Sequence, residues 1–111
     1  MLRRVGIALI TVLLAGSAGV AQFKPRYLSG TVTDKRGNPL PRAIVQLENT
    51  ANLYVRSYIT GKDGVYYFND LSDDVEFTLL AKYRNYRSKP KTLSKFDSSE
   101  HPEIDLVIPI E

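Results

Sequence analysis

Three groups of side chains in this sequence have types that can carry chemistry. Four aspartates, Asp63, Asp70, Asp73 and Asp74, crowd the stretch TGKDGVYYFNDLSDD that runs from Thr60 to Asp74. The chain's one histidine, His101, sits in the polar run SSEHPE. Six cations, Lys82, Arg84, Arg87, Lys89, Lys91 and Lys95, follow one another with no acid among them, interleaved with Tyr83 and Tyr86. A calcium loop of the EF-hand type needs oxygen ligands at alternating positions, a central glycine and a closing carboxylate over twelve residues. The four aspartates lack that spacing. Asp63-Gly64 has the composition of a turn, because Gly tolerates positive φ and Asp bonds its own backbone. One histidine and no cysteine supply neither a metal-ligand set nor a nucleophile with its base. No catalytic, cofactor-binding or metal-ligating residue is expected.

The basic run reads in two ways. It can attract anionic polysaccharide or lipid head groups. Equally, Arg87, Lys89 and Lys91 alternate along a strand interrupted by Pro90, which is how an exposed sheet edge is guarded against pairing with another chain.

The elements that must position these groups follow from two-residue alternation bounded by turn residues, with no sustained helical spacing. Tyr27–Asp34 sets Leu28, Gly30 and Val32 on one face; Pro39 and Pro41 lie in the turn cluster that follows. Ala43–Asn49 buries Ala43, Val45 and Leu47. Leu53–Thr60 sets Leu53, Val55 and Ile59 against Tyr54, Arg56 and Tyr58, and the first set is expected to be buried. With Gly61–Gly64 as a four-residue hairpin loop, Ile59 would oppose Tyr66 and Tyr58 would oppose Tyr67. That register puts Ile59, Tyr66 and Phe68 in the core, with Leu71 as an apolar plug in the next turn. Glu76–Tyr83 buries Phe77, Leu79 and Ala81; Arg87–Ser94 is a weaker edge strand; Glu103–Ile110 closes the chain with Ile104, Leu106, Ile108 and Ile110 on one side. Seven short strands at this spacing describe an all-β sandwich.

Residues 1–21 read as something other than fold. Arg3 and Arg4 precede the apolar run Val5–Leu14, and Ala15–Ala21 is made almost wholly of small residues, the pattern of a secretory signal peptide cleaved after Ala21. The apolar run is shorter than the ~20 residues of a membrane span, so membrane attachment is expected only if the leader is kept. The absence of cysteine excludes a lipoprotein anchor. Without the leader, 13 positive residues face 12 negative ones, and nucleic-acid binding loses its electrostatic basis. A periplasmic or secreted location is expected, with residues 22–26 as a short arm and 27–111 as the domain.

The run SGTVTDKRGNPLPRAIVQLEN, then TGKDGVYYFNDL, FTLLAKYRNY and EIDLVIP, resembles the carboxypeptidase regulatory-like domain. The family's first motif is carried by Gly30, Val32, Asp34, Gly37, Pro39, Leu40, Ala43, Val45 and Leu47. Its second is carried by Thr60, Gly64, Tyr66, Phe68 and Leu71, with Gly61 where the family usually has Asp, and its third by Phe77, Leu79, Ala81 and Tyr86. The resemblance covers about four fifths of the chain. It implies a seven-stranded antiparallel Greek-key β-sandwich of transthyretin-like fold, preceded by a signal-peptide helix if the leader is uncleaved. It also implies a non-catalytic accessory module without cofactor. Enzymes of that fold use several histidines, or an iron site of two His and two Tyr, and a single histidine builds neither.

The expected function is therefore binding, to a secreted or cell-envelope protein partner. The alternative is carbohydrate binding, with polysaccharide stacked on tyrosines. On the hairpin register above, Tyr54, Arg56, Tyr58 and Tyr67 share the outer face of one sheet, where flat rings beside a guanidinium suit stacking or protein anchoring.

Overall fold

The structure is a computed structural model that describes residues 25–111. The leader read over 1–21, and the arm as far as Lys24, lie outside the described residues. Arg26, expected in the arm, is already the first residue of β1.

Among the described residues eight strands run in the order β1 (Arg26–Thr33), β2 (Ile44–Asn49), β3 (Val55–Ile59), β4 (Val65–Leu71), β5 (Phe77–Tyr83), β6 (Tyr86–Arg87), β7 (Lys91–Leu93) and β8 (Leu106–Val107). They form a three-stranded sheet, β4-β1-β8, and a five-stranded sheet, β3-β2-β5-β6, in which β7 also pairs with β5. The two sheets enclose one apolar core, so the architecture is an all-β sandwich. Eight strands replace the expected seven because Pro90, which cannot donate to a ladder, divides the sixth expected element, Arg87–Ser94, into β6 and β7. Ser88 repairs the break: its Oγ accepts from the Ala81 N–H at 2.9 Å, while its own N–H donates to Ala81 O at 2.8 Å. One pairing is not antiparallel, since β8 runs parallel to β1.

Alternation along β1, β2 and β5 buries the residues read from the sequence: Leu28, Val32, Ala43, Val45, Leu47, Phe77, Leu79 and Ala81. The segment Gly61–Gly64 departs from expectation. It is not a hairpin, because β3 pairs with β2 and β4 pairs with β1, so the chain arches from one sheet to the other. Thr60 ties one end of the arch to the start of β2: its N–H donates to Ala43 O, and its buried Oγ1 donates to Leu40 O and accepts from Ala43 N. Gly64, at φ 70°, ties the other end to β1 by accepting from Val32 N at 2.8 Å.

The arch overturns the face assigned to β3. Arg56 and Tyr58 lie opposite Leu47 and Val45, so they turn toward the core side, at the open margin of the sandwich. Leu53, Val55 and Ile59 are instead exposed, at 67%, 53% and 65%. This is the one-residue inversion that period-two patterns permit. Long amphipathic side chains close the margin above Phe68, which leaves the aliphatic ones outside. Leu71, read as a plug in the turn, is the buried last residue of β4.

Two close-packed positions fasten the smaller sheet. Gly30 lies opposite Tyr66 in the β1–β4 register, and a Cβ on Gly30 would stand 1.8 Å from the Ile104 carbonyl oxygen and 2.8 Å from the Tyr66 ring. With no Cβ there, the Tyr66 hydroxyl donates to Ile104 O. Arg26, 3% exposed, donates through Nη1 to Ser94 O and Asp97 O, and through Nη2 to Ser72 O and Val75 O. It binds the loop after β4 to the loop after β7 with carbonyl oxygens as its hydrogen-bond acceptors. In the turn after β1, Asp34 accepts from Asn38 N and Arg36 N, each at 2.9 Å. Chiefly the Asn38 N–H, and with it the Asn38 side chain and Arg36, hold its carboxyl below the ordinary value.

Gly30→Ala should destabilise the fold by about 3 kcal/mol or more, at the upper end of overpacking costs, measured by chemical denaturation. Gly37→Ala is the comparison: Gly37 has φ 88° and nothing within 4 Å of a Cβ, so only the backbone term of about 1–2 kcal/mol applies.

Candidate binding surface

The outward residues of β1 are Tyr27, Ser29, Thr31 and Thr33, because Arg26, Leu28, Gly30 and Val32 turn inward. Tyr67 occupies the outward position between Tyr66 and Phe68 on β4 and pairs with Ser29. The Tyr27 and Tyr67 rings stack with centroids 5.7 Å apart and planes 14° from parallel. Tyr58 reaches round the margin from the other sheet and meets Tyr67 at 5.1 Å, tilted by 52°. On the far side, His101 stands edge-on to Tyr27 at 4.6 Å. Four rings thus form one row, Tyr58, Tyr67, Tyr27, His101.

The histidine is placed by backbone. The segment before β8 runs beside β1, with Tyr27 N donating to Glu100 O, Ser29 N to Pro102 O and Ile104 N to Ser29 O. Ser29 Oγ and His101 Nε2 lie 3.1 Å apart, within hydrogen-bonding distance. Tyr27 and Tyr67 remain 37% and 43% exposed, so both present ring surface to solvent. Tyr58 is half-buried and also packs against Phe68. Burial first, then the neighbouring Tyr67, Asp63 and Tyr27, push its phenol above the ordinary 10.0. It is neutral at physiological pH and offers a ring and a hydroxyl, with no charge.

The four residues singled out from the sequence do not share one sheet face. Tyr58 and Tyr67 meet, although across two sheets and not within a hairpin. Arg56 is occupied at the margin, donating from Nη1 to Asn69 O at 2.8 Å with its guanidinium 5.5 Å from the Phe68 centroid. Tyr54, 76% exposed, lines a groove of about 250 Å³ together with Arg56, Asn49, Val55 and Asp70, away from the Tyr58–Tyr67 contact. Sequence reasoning missed Tyr27 and His101. The sequence places Tyr27 in a strand, and only its alternation against Leu28 signals that it faces outward.

The other candidates take up structural positions. Asp63 accepts from Val65 N at 3.2 Å within the arch, and Asp74 bonds Ser72 Oγ in the loop after β4. Among the described residues, no three of His, Cys, Asp and Glu gather as metal ligands. Within the basic run, Arg84 lies 5.1 Å from the Tyr83 ring and Lys95 lies 5.4 Å from that of Phe96. Arg87, Lys89 and Lys91 converge with Lys35 on a cleft of about 320 Å³ floored by Val107 and Pro109, and Lys91 Nζ donates to Asp105 O.

Residues 27–107 match the model of the carboxypeptidase regulatory-like domain. Among curated proteins none matches. Solved structures share the fold at low identity. Chlorocatechol 1,2-dioxygenase from Pseudomonas putida is 11% identical with a TM-score of 0.58, over 83% of this chain and 63% of its own. A variant of Acinetobacter radioresistens catechol 1,2-dioxygenase is 11% identical with a TM-score of 0.62, over 81% of this chain and 53% of its own. The dioxygenase domain of a dioxygenase carbohydrate-binding protein fusion from Streptomyces sp. SirexAA-E is 14% identical with a TM-score of 0.59, over 83% and 86%. The chain spans less than two thirds of the first two. At these identities the likeness is one of fold alone.

The Tyr58 environment is testable by alkaline titration of the ring resonances. A phenol raised on folding contributes stability that is complete below the unfolded value near 10.0 and is lost as pH climbs through the folded one. Tyr67→Ala removes the second-largest cause, so Tyr58 should titrate closer to 10.0 in that variant than in the parent. An unchanged midpoint would mean that the two rings do not meet.

Proposed function

The chain belongs to the carboxypeptidase regulatory-like domain family, and on that premise we propose that it is an exported, non-catalytic module that binds a secreted or cell-envelope protein. The observation that carries this reading is the ring row in which Tyr67, Tyr27 and His101, on the outer side of the three-stranded sheet, are joined at its margin by Tyr58 from the other sheet. Tyrosines whose backbone is fixed in a ladder lose little entropy on contact, and they present apolar area with a polar tip, which is why they anchor interfaces. Export rests on the leader pattern of residues 1–21. The non-catalytic reading rests on the family and on the residue set. The single histidine is engaged by Ser29 and Tyr27, and the dioxygenases share only the fold.

A second reading, carbohydrate binding, is favoured by one specific feature. Tyr27 and Tyr67 are stacked with nearly parallel planes and both stay partly exposed, and the free face of such an aromatic pair is a flat apolar surface on which a sugar ring can stack.

One pair of variants separates the readings. Tyr27→Ala and Tyr67→Ala remove outward rings and leave the inward side of β1 and β4 intact, so both should fold. If a protein partner docks on the row, its affinity for each variant should fall by about tenfold or more, the loss of ~1.4 kcal/mol expected of an aromatic anchor. Glycan-array signal lost in both variants favours the second reading. Protein and glycan binding that both persist at parental strength contradict the row as the site.

A further inference from the structure

The margins of the two sheets are not treated alike. An open edge offers unpaired N–H and C=O groups to any other strand, and proteins blunt such edges with proline, lysine, bulges or short length. The β6/β7 edge is broken at Pro90 and carries Arg87, Lys89 and Lys91. The β4 edge is bent at Asp70, where φ is 57°, and Arg56 caps Asn69 O. The β8 edge is only Leu106–Val107. The β3 edge has none of these devices. Its five residues are Val-Arg-Ser-Tyr-Ile, and its one charge, on Arg56, is turned to the inner side.

The hydrogen-bonding phase of β3 follows from the two ends of its ladder. Thr60 N donates to Ala43 O, and Asn49 N donates to Tyr54 O. Hydrogen-bonded pairs alternate along an antiparallel ladder, so Tyr58 and Arg56 bond to β2. Val55, Ser57 and Ile59 turn their N–H and C=O groups away from the sheet. The two aliphatic residues of this set are also exposed, as is Ile44, which pairs with Ile59.

We propose that β3 pairs antiparallel with β3 of a second copy of this chain, about a two-fold axis at Ser57. In this register Ser57 opposes its own counterpart, Val55 opposes Ile59, and each such pair can exchange two N–H···O=C bonds. Arg56 falls opposite Tyr58 of the other copy, a cation beside an aromatic face. The register is selected by charge. A slip that pairs Val55 with Ser57 would oppose Arg56 to Arg56, and the opposite slip would leave Val55 and Arg56 without partners. Only the Ser57-centred arrangement pairs all five residues without opposing like charges. The outer row then runs from Ile44 through Ile59 to Val55 of the second copy. A five-residue edge falls below the ~1,000 Å² of a stable interface, so the dimer is weak and forms with rising concentration. The pairing rests on the β3 edge alone and not on the ligand of the ring row, although Tyr58 belongs to both edge and row.

Because the chain has no cysteine, single cysteines report the register directly. Sedimentation of the protein purified from cells expressing the full chain, from ~10 µM to ~1 mM, should show monomer passing to dimer as expected of a small interface. Ser57→Cys should form a disulfide-linked dimer under mild oxidation. Val55→Cys should not, because its counterpart lies about four residues along the strand, ~13 Å away and beyond the ~7 Å reach of a disulfide. Ser57→Pro, which removes an N–H that β2 does not use, and the double variant Val55→Lys/Ile59→Lys should both remain monomeric with the parental unfolding midpoint. A monomer at the highest concentration, a dimer that survives the double lysine variant, equal cross-linking at 55 and 57, or an edge occupied only by a foreign protein's strand would each overturn the proposal.

Discussion

The Tyr66 hydroxyl reaches the Ile104 carbonyl because nothing stands above Gly30. A methyl group there would overlap that oxygen, so the contact exists only for a glycine at this point of β1. The hydrogen bond joins β4 to the segment that leads into β8, across the strand that lies between them. Burial and, secondarily, Asp105 push the Tyr66 phenol well above the ordinary tyrosine value, which keeps it a neutral donor. At the other end of β1, Arg26 holds two loops by their carbonyls. Replacing the guanidinium would leave several buried acceptors unpaired, each at a cost of ~1–3 kcal/mol. Strand β1 is thus fixed at both ends from its inner face.

The outer face inherits that order. Tyr27 lies between the inward residues Arg26 and Leu28, Ser29 lies between Leu28 and Gly30, and His101 is carried on the segment whose Ile104 carbonyl Tyr66 holds. The ring row is therefore placed by the core. Tyr58 joins it from the opposite sheet because the Gly61–Gly64 arch brings β3 and β4 to the same margin of the sandwich. Pairing of β3 would set two such rows on one assembly, since Tyr58 belongs to both the row and the edge.

Much of this was legible in the sequence wherever period two was enough. The inward sets of β1, β2 and β5, and the family motifs on Gly30, Ala43, Thr60, Gly64, Tyr66 and Phe68, gave the sandwich and most of its core. Alternation reports which residues share a face, but it does not report which strand lies alongside. The five-residue link Thr60–Gly64 between β3 and β4 fits a hairpin and an arch equally, and the choice rests on Thr60 bonding to the start of β2 and Gly64 to β1. A hairpin reverses the faces of β3, putting Ile59 in the core and Arg56 outside it, whereas the arch does the opposite. Arg26 escaped notice because a buried arginine served by backbone carbonyls has no acidic partner to announce it. The place of His101 is not legible because nothing local in SSEHPE shows that its backbone runs along β1.

The central claim is that binding occurs on the ring row. Residue-resolved NMR titration with the ligand that the capture or glycan experiment identifies tests this most directly. The account predicts that shifts on addition centre on Tyr27, Tyr67, Tyr58 and His101 and are small elsewhere. Shifts centred instead on Lys35, Arg87, Lys89 and Lys91, around the cationic cleft, would contradict it.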